Sequence, residues 1–164
     1  MSWDRTALQV AASLQKDNTK SLDRIAEEIG SSRSAVQRRV RRLRDAGVIR
    51  GDVALIDARR MLGLETFIID MQLRTERSDL TARFVRTIRA LNEVQQCYLT
   101  TGRWNCGAIV LLPDARAFDA FALAHLADDP SVRRYKARLV VRDVKISLSV
   151  PVGEGGNEAD APTP

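Results

Sequence analysis

Side chains that carry chemistry are scarce in this chain of 164 residues, which has one histidine, His125, and two cysteines, Cys97 and Cys106. Two cysteines make neither a disulfide framework nor a metal site, and in a reducing compartment they read as small buried hydrophobes in adjacent strands. His125 lies beside Leu123, Ala124 and Leu126 on an apolar helix, a setting that favours a packed or rim residue over a catalyst. There is no glycine-rich phosphate loop, no paired-carboxylate constellation and no nucleophile with a base nearby in sequence. The sequence therefore assigns no catalytic residue, no metal and no cofactor. No apolar run approaches the ~20 residues of a membrane span, and Met1-Ser2-Trp3-Asp4 opens without a charged-then-apolar signal region, so a cytoplasmic protein without a membrane partner is expected.

What the chain has in excess is arginine, concentrated in one place. Between Ser31 and Gly51 stand seven arginines (33, 38, 39, 41, 42, 44 and 50) against one acid, Asp45. On a helical wheel Val36, Val40 and Leu43 share a narrow apolar sector, while Ser34, Arg38, Arg41 and Arg42 point the other way with Gln37 beside them. One face packs and the other is free to meet phosphate, the usual partner of clustered guanidinium groups. The first 60 residues carry 13 basic and 8 acidic side chains, residues 61–150 carry 13 and 10, and residues 151–164 carry 0 and 3. The basic excess is thus densest around this helix.

The residues before it complete a motif. Leu22, Ile25, Ala26 and Ile29 repeat at helical spacing after Ser21, an N-cap, and before Gly30, a left-handed C-cap. Gly30-Ser31-Ser32 then leads into the basic helix, so two short helices are joined by a glycine-containing turn, as in a helix-turn-helix. Upstream, Leu8, Ala11, Ala12 and Leu14 within Asp4 to Gln15 supply a third helix. Val48 to Ile56, interrupted by Gly51, reads as a wing strand. Sixty residues are too few to bury a large core, so a second module or dimerisation is expected.

From Glu65 the period changes. Phe67, Ile69, Met71 and Leu73 share one face of a strand, and Thr66, Ile68, Asp70 and Gln72 the other. Leu80, Phe84, Ile88 and Leu91 then repeat at helical spacing, and Val94 to Thr100 resumes as a strand. Thr101 to Asn105 turns the chain into a strand over Cys106 to Leu112, and Pro113-Asp114 starts a helix bearing Phe118, Phe121 and Leu126. Val132 to Val141 is a last strand, and Lys145 to Val150 an appended edge strand. The order β-α-β-β-α-β predicts a ferredoxin-like unit, helices on one face of an antiparallel sheet. Its other face is expected to pack on a second copy. The fold class is α+β, divided as a winged helix-turn-helix domain over 1–52, a linker over 53–64, a ferredoxin-like oligomerisation domain over 65–150, and an acidic tail over 151–164 expected to be disordered.

The runs Leu22-Asp23-Arg24-Ile25-Ala26-Glu27-Glu28-Ile29-Gly30 with Ser32, Arg39-Val40-Arg41-Arg42-Leu43, Gly47-Val48-Ile49-Arg50-Gly51, Cys97 to Gly102, Pro113-Asp114 and Val141 to Lys145 resemble those of the Lrp/AsnC family of feast/famine transcriptional regulators. The likeness spans about Asp4 to Val152. It implies a winged helix-turn-helix reader of double-stranded DNA joined to a ferredoxin-like (RAM-type) domain that dimerises through its sheet and often assembles as a tetramer of dimers. Under it, Arg33, Ser34, Gln37 and Arg38 face base edges, Arg41, Arg42 and Arg50 meet phosphates, and Ser32 belongs to the same DNA-binding set. A dimer would place two such helices about one helical turn, ~34 Å, apart.

The resemblance also implies a small-molecule effector bound near the hairpin Thr101, Gly102, Arg103, Trp104 and Asn105. The family hairpin usually reads Thr-Gly-acid-aromatic-Asp-aromatic, so both carboxylates that would suit an ammonium group are missing here. Arg103 suits an anion instead, or else faces solvent in a protein without an effector. Two other readings stay open at this level: an enzyme similar to siroheme decarboxylases, which resemble the same architecture and would recruit Arg103, Arg133, Arg134 and Arg138, and an architectural DNA-binding protein without small-molecule control.

Overall fold

The computed structural model describes residues 3–74 and 78–152; the tail expected to be disordered lies outside them from residue 153. The chain divides into two compact units, one made of the residues up to Ala54 with those from Ile146 onward, the other Leu55–Lys145.

The first unit is built on helices α1 (Arg5–Lys16), α2 (Leu22–Ile29) and α3 (Arg33–Asp45). Each starts where a short polar side chain accepts a backbone N–H from the first turn: Asp4 from Ala7, Ser21 from Arg24, Ser32 from Ala35. These caps satisfy donors that the helix leaves orphaned. Gly30 ends α2 at φ 64°, a left-handed conformation that a Cβ would oppose, so the turn into α3 is short and fixed. Val10, Ile25, Ala26, Val36, Val40 and Leu43 form the core, with Trp3, Ala11, Leu14, Leu22, Ile29 and Ile49 packed around it. Helix α1 therefore turns Ala7, Val10, Ala11 and Leu14 inward, where the sequence pattern pointed to Leu8 and Ala12. Its buried Ser13 donates to Glu28 on α2, and Lys20 holds the same carboxylate at 2.8 Å, which ties the first two helices together.

Two expected strands are absent from this unit. Residues 48–56 form no strand: the N–H groups of Val48 and Ile49 both turn back to the Leu43 carbonyl, and Arg44 grips Asp52 at 2.8 Å. Residues 145–150 form none either. Gln15 on α1 takes the backbone of Val150 in two hydrogen bonds, accepting from its N–H at 2.7 Å and donating to its carbonyl at 3.2 Å. A strand exists only with a partner for its backbone, and neither segment has one among the described residues.

The second unit runs α4 (Ala58–Leu62), β1 (Glu65–Leu73), α5 (Ser78–Arg89), β2 (Val94–Leu99), β3 (Cys106–Leu112), α6 (Ala115–Ala122), a π turn (Leu123–Ala127) and β4 (Val132–Leu139). The sheet order is β2-β3-β1-β4, with every neighbouring pair antiparallel. This is the α+β ferredoxin-like arrangement. Phe67, Ile69, Met71 and Leu73 of β1 and Cys106, Ala108, Val110 and Leu112 of β3 face Phe84, Ile88, Phe121 and Leu126 in one core, and Phe67 stacks on Phe118 with centroids 4.9 Å apart. Burying each of these larger side chains contributes about 1.5–3 kcal/mol. The face carrying Phe67, Ile69 and Met71 is thus the helix-covered one. The open face carries their alternates, with Ile68 between Ile109 and Arg138 and Asp70 between Gly107 and Lys136 in the strand register. His125 sits at the core's rim, its ring 5.1 Å from that of Phe121.

Candidate functional site

Two sites come from the residues singled out by the sequence, one in each unit. On α3, the buried stripe Val36, Val40 and Leu43 forces Ser34, Gln37, Arg38 and Arg41 outward, and all four are exposed. The arginines of this segment are not equivalent. Arg33 is held by Asp23 of α2 at 2.6 Å, Arg39 by Asp4 at 3.2 Å, and Arg44 by Asp52 at 2.8 Å. The Arg42 guanidinium lies 5.1 Å over the Trp3 ring. Among the described residues, Arg41 is paired only with the distant, exposed Asp45 at 3.7 Å and is itself 84% exposed. Among the described residues, no hydrogen bond or ion pair engages the side chains of Gln37, Arg38 or Arg50. Ser32 is occupied as the helix cap and shares its hydroxyl with Ser34 at 3.2 Å. The residues presented without a protein partner are therefore Gln37 and Arg38 near the start of the helix and Arg50 beyond its end.

Charge also holds the frame on which this face rests. Asp4 has its carboxyl lowered below the usual range by the Ala7 N–H and then by Arg39, and Glu28 is lowered by hydrogen bonds from Lys20 and then Ser13.

In the second unit, a cleft of about 430 Å³ is lined by Gln72, Leu73, Arg74, Thr100, Thr101, Gly102, Arg103, Asn105 and Arg133. Four of the five hairpin residues expected at an effector site line it. The fifth, Trp104, does not: its ring is covered by Lys136 at 4.8 Å and Arg134 at 5.5 Å. Gly102 turns the hairpin at φ 90°, with nothing within 4 Å of the space a Cβ would take. The hairpin root is pinned by Thr100, whose N–H donates to the Asn105 carbonyl at 2.9 Å and whose hydroxyl donates to the Trp104 carbonyl at 2.8 Å.

Asn105 also anchors the hairpin to β1. Its side-chain oxygen accepts the Leu73 N–H at 2.6 Å and its nitrogen donates to the Leu73 carbonyl at 3.1 Å. An amide has both a donor and an acceptor for this; an ionised carboxylate has only acceptors. Asparagine here is a structural clamp at the cleft's edge. Arg74, Arg103 and Arg133 all line this one opening, a set of cations suited to a carboxylate or phosphate. Arg74 was missed by sequence reading because it follows the last residue of a strand with nothing local to mark it. Arg133 reaches the cleft because the β1–β4 register shifts between Gln72, opposite Arg134, and Leu73, opposite Val132, so Arg133 has no cross-strand partner.

Among the described residues no group of three His, Cys, Asp or Glu side chains could hold a metal ion, and no helix is long and apolar enough to cross a membrane.

Comparison with known proteins bears on both sites. Residues 66–150 match the Lrp/AsnC ligand binding domain, and residues 4–50 match a winged helix-turn-helix DNA-binding domain. An uncharacterised HTH-type transcriptional regulator, y4tD, of Sinorhizobium fredii is 30% identical over 93% of this chain and 90% of its own length. The crystal structure of an AsnC family transcriptional regulator from Agrobacterium tumefaciens superposes with a TM-score of 0.84 at 25% identity, covering 92% of this chain and 97% of the other. That of the Neisseria meningitidis transcriptional regulator NMB0573, in complex with L-Met, gives 0.83 at 27% identity over the same shares.

Proposed function

The chain belongs to the Lrp/AsnC family of transcriptional regulators, and from that premise we propose that α3 reads its operator chiefly through Arg38 and Gln37, with Ser34 beside them, while the cleft at Gly102 takes an anionic effector. The observation that carries the first half is the pairing pattern on α3: acids of the protein engage Arg33, Arg39 and Arg44, and Arg38 projects into solvent uncommitted. Arg41, Arg42 and Arg50 then contact phosphates, which position the helix without reading sequence. Arg33, expected at a base edge, is instead committed to Asp23, and Ser32 keeps its capping role. Selection of bound fragments from genomic DNA, followed by mobility shifts against competitor DNA, tests this reading. No enriched fragment means no specific regulator, and binding to all DNA alike identifies an architectural protein.

The convergence of Arg74, Arg103 and Arg133 supports an anionic ligand, with the Gly102 backbone open to close approach. Thermal shift against neutral amino acids, basic amino acids and organic acids should stabilise the protein with organic acids alone. Tight binding of lysine would refute the assignment. A catalyst that gathers arginines around a carboxylate-rich substrate is disfavoured by the same geometry, because Arg138 is engaged by Asp70 at 2.7 Å and Arg134 by Gln72 at 2.7 Å. A tetrapyrrole-dependent visible spectrum on titration would reverse that preference.

The division of labour follows the segments 1–52, 53–64, 65–150 and 151–164, and the protein acts in the cytoplasm as a homo-oligomer, a dimer or a tetramer of dimers. Ile68, Ile109, Leu111 and Tyr98 on the open sheet face supply the apolar part of the dimer contact, and the row Arg134, Lys136 and Arg138 borders it.

A further inference from the structure

Cys97 and Cys106 play no part in DNA reading or in lining the cleft, yet their Sγ atoms lie 3.7 Å apart. Cys97 stands opposite Ala108, and Cys106 opposite Leu99, so the pair is diagonal across β2 and β3 on one sheet face. Cys97 is exposed and Cys106 buried. One thiol is open to a solute and the second waits behind it in van der Waals reach.

We infer that Cys97 and Cys106 form a hydroperoxide-reactive dithiol site that closes to an intrachain disulfide at the root of the 100–105 hairpin. Cys97 is the attacking group. Its thiol is lowered to about 7 because Cys106 donates a hydrogen bond to it, so a large thiolate fraction is present at neutral pH. Cys106 is shifted far upward by that same hydrogen bond, then by burial and by the charge of Cys97, and keeps its proton.

The chemistry balances in two steps. The Cys97 thiolate attacks one peroxide oxygen; the S–O bond forms, the O–O bond breaks, and the leaving alkoxide takes a proton from water to depart as the alcohol. Cys97 is then a sulfenic acid and carries no charge, so the repulsion holding the proton on Cys106 is gone. The Cys106 sulfur attacks the Cys97 sulfur, the S–S bond forms, the S–O bond breaks, and hydroxide leaves with the Cys106 proton as water. Two thiols are oxidised by two electrons and one hydroperoxide is reduced.

The sulfurs must approach to about 2.05 Å. β2 is an edge strand, paired with β3 alone among the described residues, and its register already shifts between Val94 and Gln96, so closing the sulfurs disturbs one strand pairing at the sheet's edge. The bond would fasten the two strands on either side of Thr100–Asn105 and stiffen the loop carrying Gly102 and Arg103. This consequence for ligand affinity rests on the cleft being the effector site; the thiol chemistry does not.

The test uses the full chain treated with a small excess of hydrogen peroxide, blocked with a thiol alkylator and digested with trypsin. Cleavage at Arg103 puts Cys97 in the peptide 90–103 and Cys106 in 104–116, so an intrachain bridge appears as those two peptides joined, from a monomer-mass chain two hydrogens lighter and restored by dithiothreitol. Cys97→Ser should remove the reaction, and Cys106→Ser, which keeps a donor beside Cys97 but no second thiol, should stop it at a sulfenic acid trapped by dimedone. Cys97→Ser alters an exposed site, so its failure to react cannot be ascribed to unfolding. Unmodified thiols after excess peroxide, or only interchain disulfides through Cys97, would overturn the proposal. Mobility shift and ligand titration of the oxidised chain then address the cleft separately: a bridged protein with unchanged ligand affinity keeps the dithiol site and removes its coupling to the effector.

Discussion

Replacing Arg38 and Arg41 one at a time separates two roles that the same helix carries. Both side chains point outward from α3 beside the buried Val36, Val40 and Leu43, and among the described residues Arg41 is paired only with an exposed Asp45 at 3.7 Å, so neither alanine substitution should move the melting temperature appreciably. If Arg38 pairs with a base edge, Arg38→Ala should cost about 1–3 kcal/mol per protomer on the operator, or roughly 5- to 150-fold in affinity, and much less on competitor DNA. The specificity ratio then collapses while the salt dependence barely changes. If Arg41 neutralises one phosphate, Arg41→Ala should weaken all sequences alike and reduce the slope of log K against log salt by about 0.9 per protomer. Between about 50 and 200 mM salt that slope is worth roughly a 3- to 4-fold difference per contact, which a mobility-shift series at five salt concentrations resolves. Arg39→Ala is the control. It releases Asp4 at the start of α1, so it should lower the melting temperature and leave the slope intact. Parent-like specificity and slope in both the Arg38 and Arg41 variants would show that α3 is not the reading element.

Asn105→Ala strands the Leu73 N–H and carbonyl and should cost about 2–4 kcal/mol by denaturant titration; Asn105→Asp keeps the acceptor, sets a carboxylate against the Leu73 carbonyl, and should be less destabilising at acid pH than at neutral pH. Glu28 is lowered from an ordinary value of 4.5 by Lys20 and Ser13, so its contribution is complete above that value and disappears as pH falls through the lower folded one. Thermal melts between pH 6 and 2 should show a steep acid limb for the parent and a shallower one for Glu28→Gln; identical limbs would remove Glu28 as the cause. Ile68→Asp, in the middle of the open sheet face, should shift the full chain toward monomer in light scattering at micromolar concentration while leaving its circular dichroism unchanged. An unaffected oligomer would place the contact elsewhere.

What was legible in the sequence is what is decided locally. Ser21, Gly30 and Ser32 specify the α2–turn–α3 geometry through bonds to residues three or four positions away, and the alternation Phe67, Ile69, Met71 and Leu73 marks one coherent strand face. What failed depends on partners far along the chain. Alternation says that one face is buried but not under which layer, so only the packing of Phe84, Phe118 and Phe121 identifies the helix side. A period-2 reading also assumes unbroken register, and register breaks twice. The shift between Val94 and Gln96 sets Cys97 opposite Ala108, where the edge position of β2 leaves it exposed although it was expected to be buried, and the one between Gln72 and Leu73 turns Arg133 toward the cleft. The wing and the 145–150 segment have strand-like sequences and, among the described residues, no strand to pair with. The arginines of 31–51 make the same point for function. Composition counts seven equivalent cations, but Asp23, Asp4 and Asp52, 10, 35 and 8 positions from their partners, commit three of them to the protein. The affinity of the helix for DNA therefore depends on where acids lie in the fold rather than on how many arginines the segment holds, and removing an acid tests it: Asp23→Asn, which frees Arg33, should tighten binding to all DNA and steepen the salt slope, whereas an unchanged slope would mean that Arg33 reaches phosphate despite its partner.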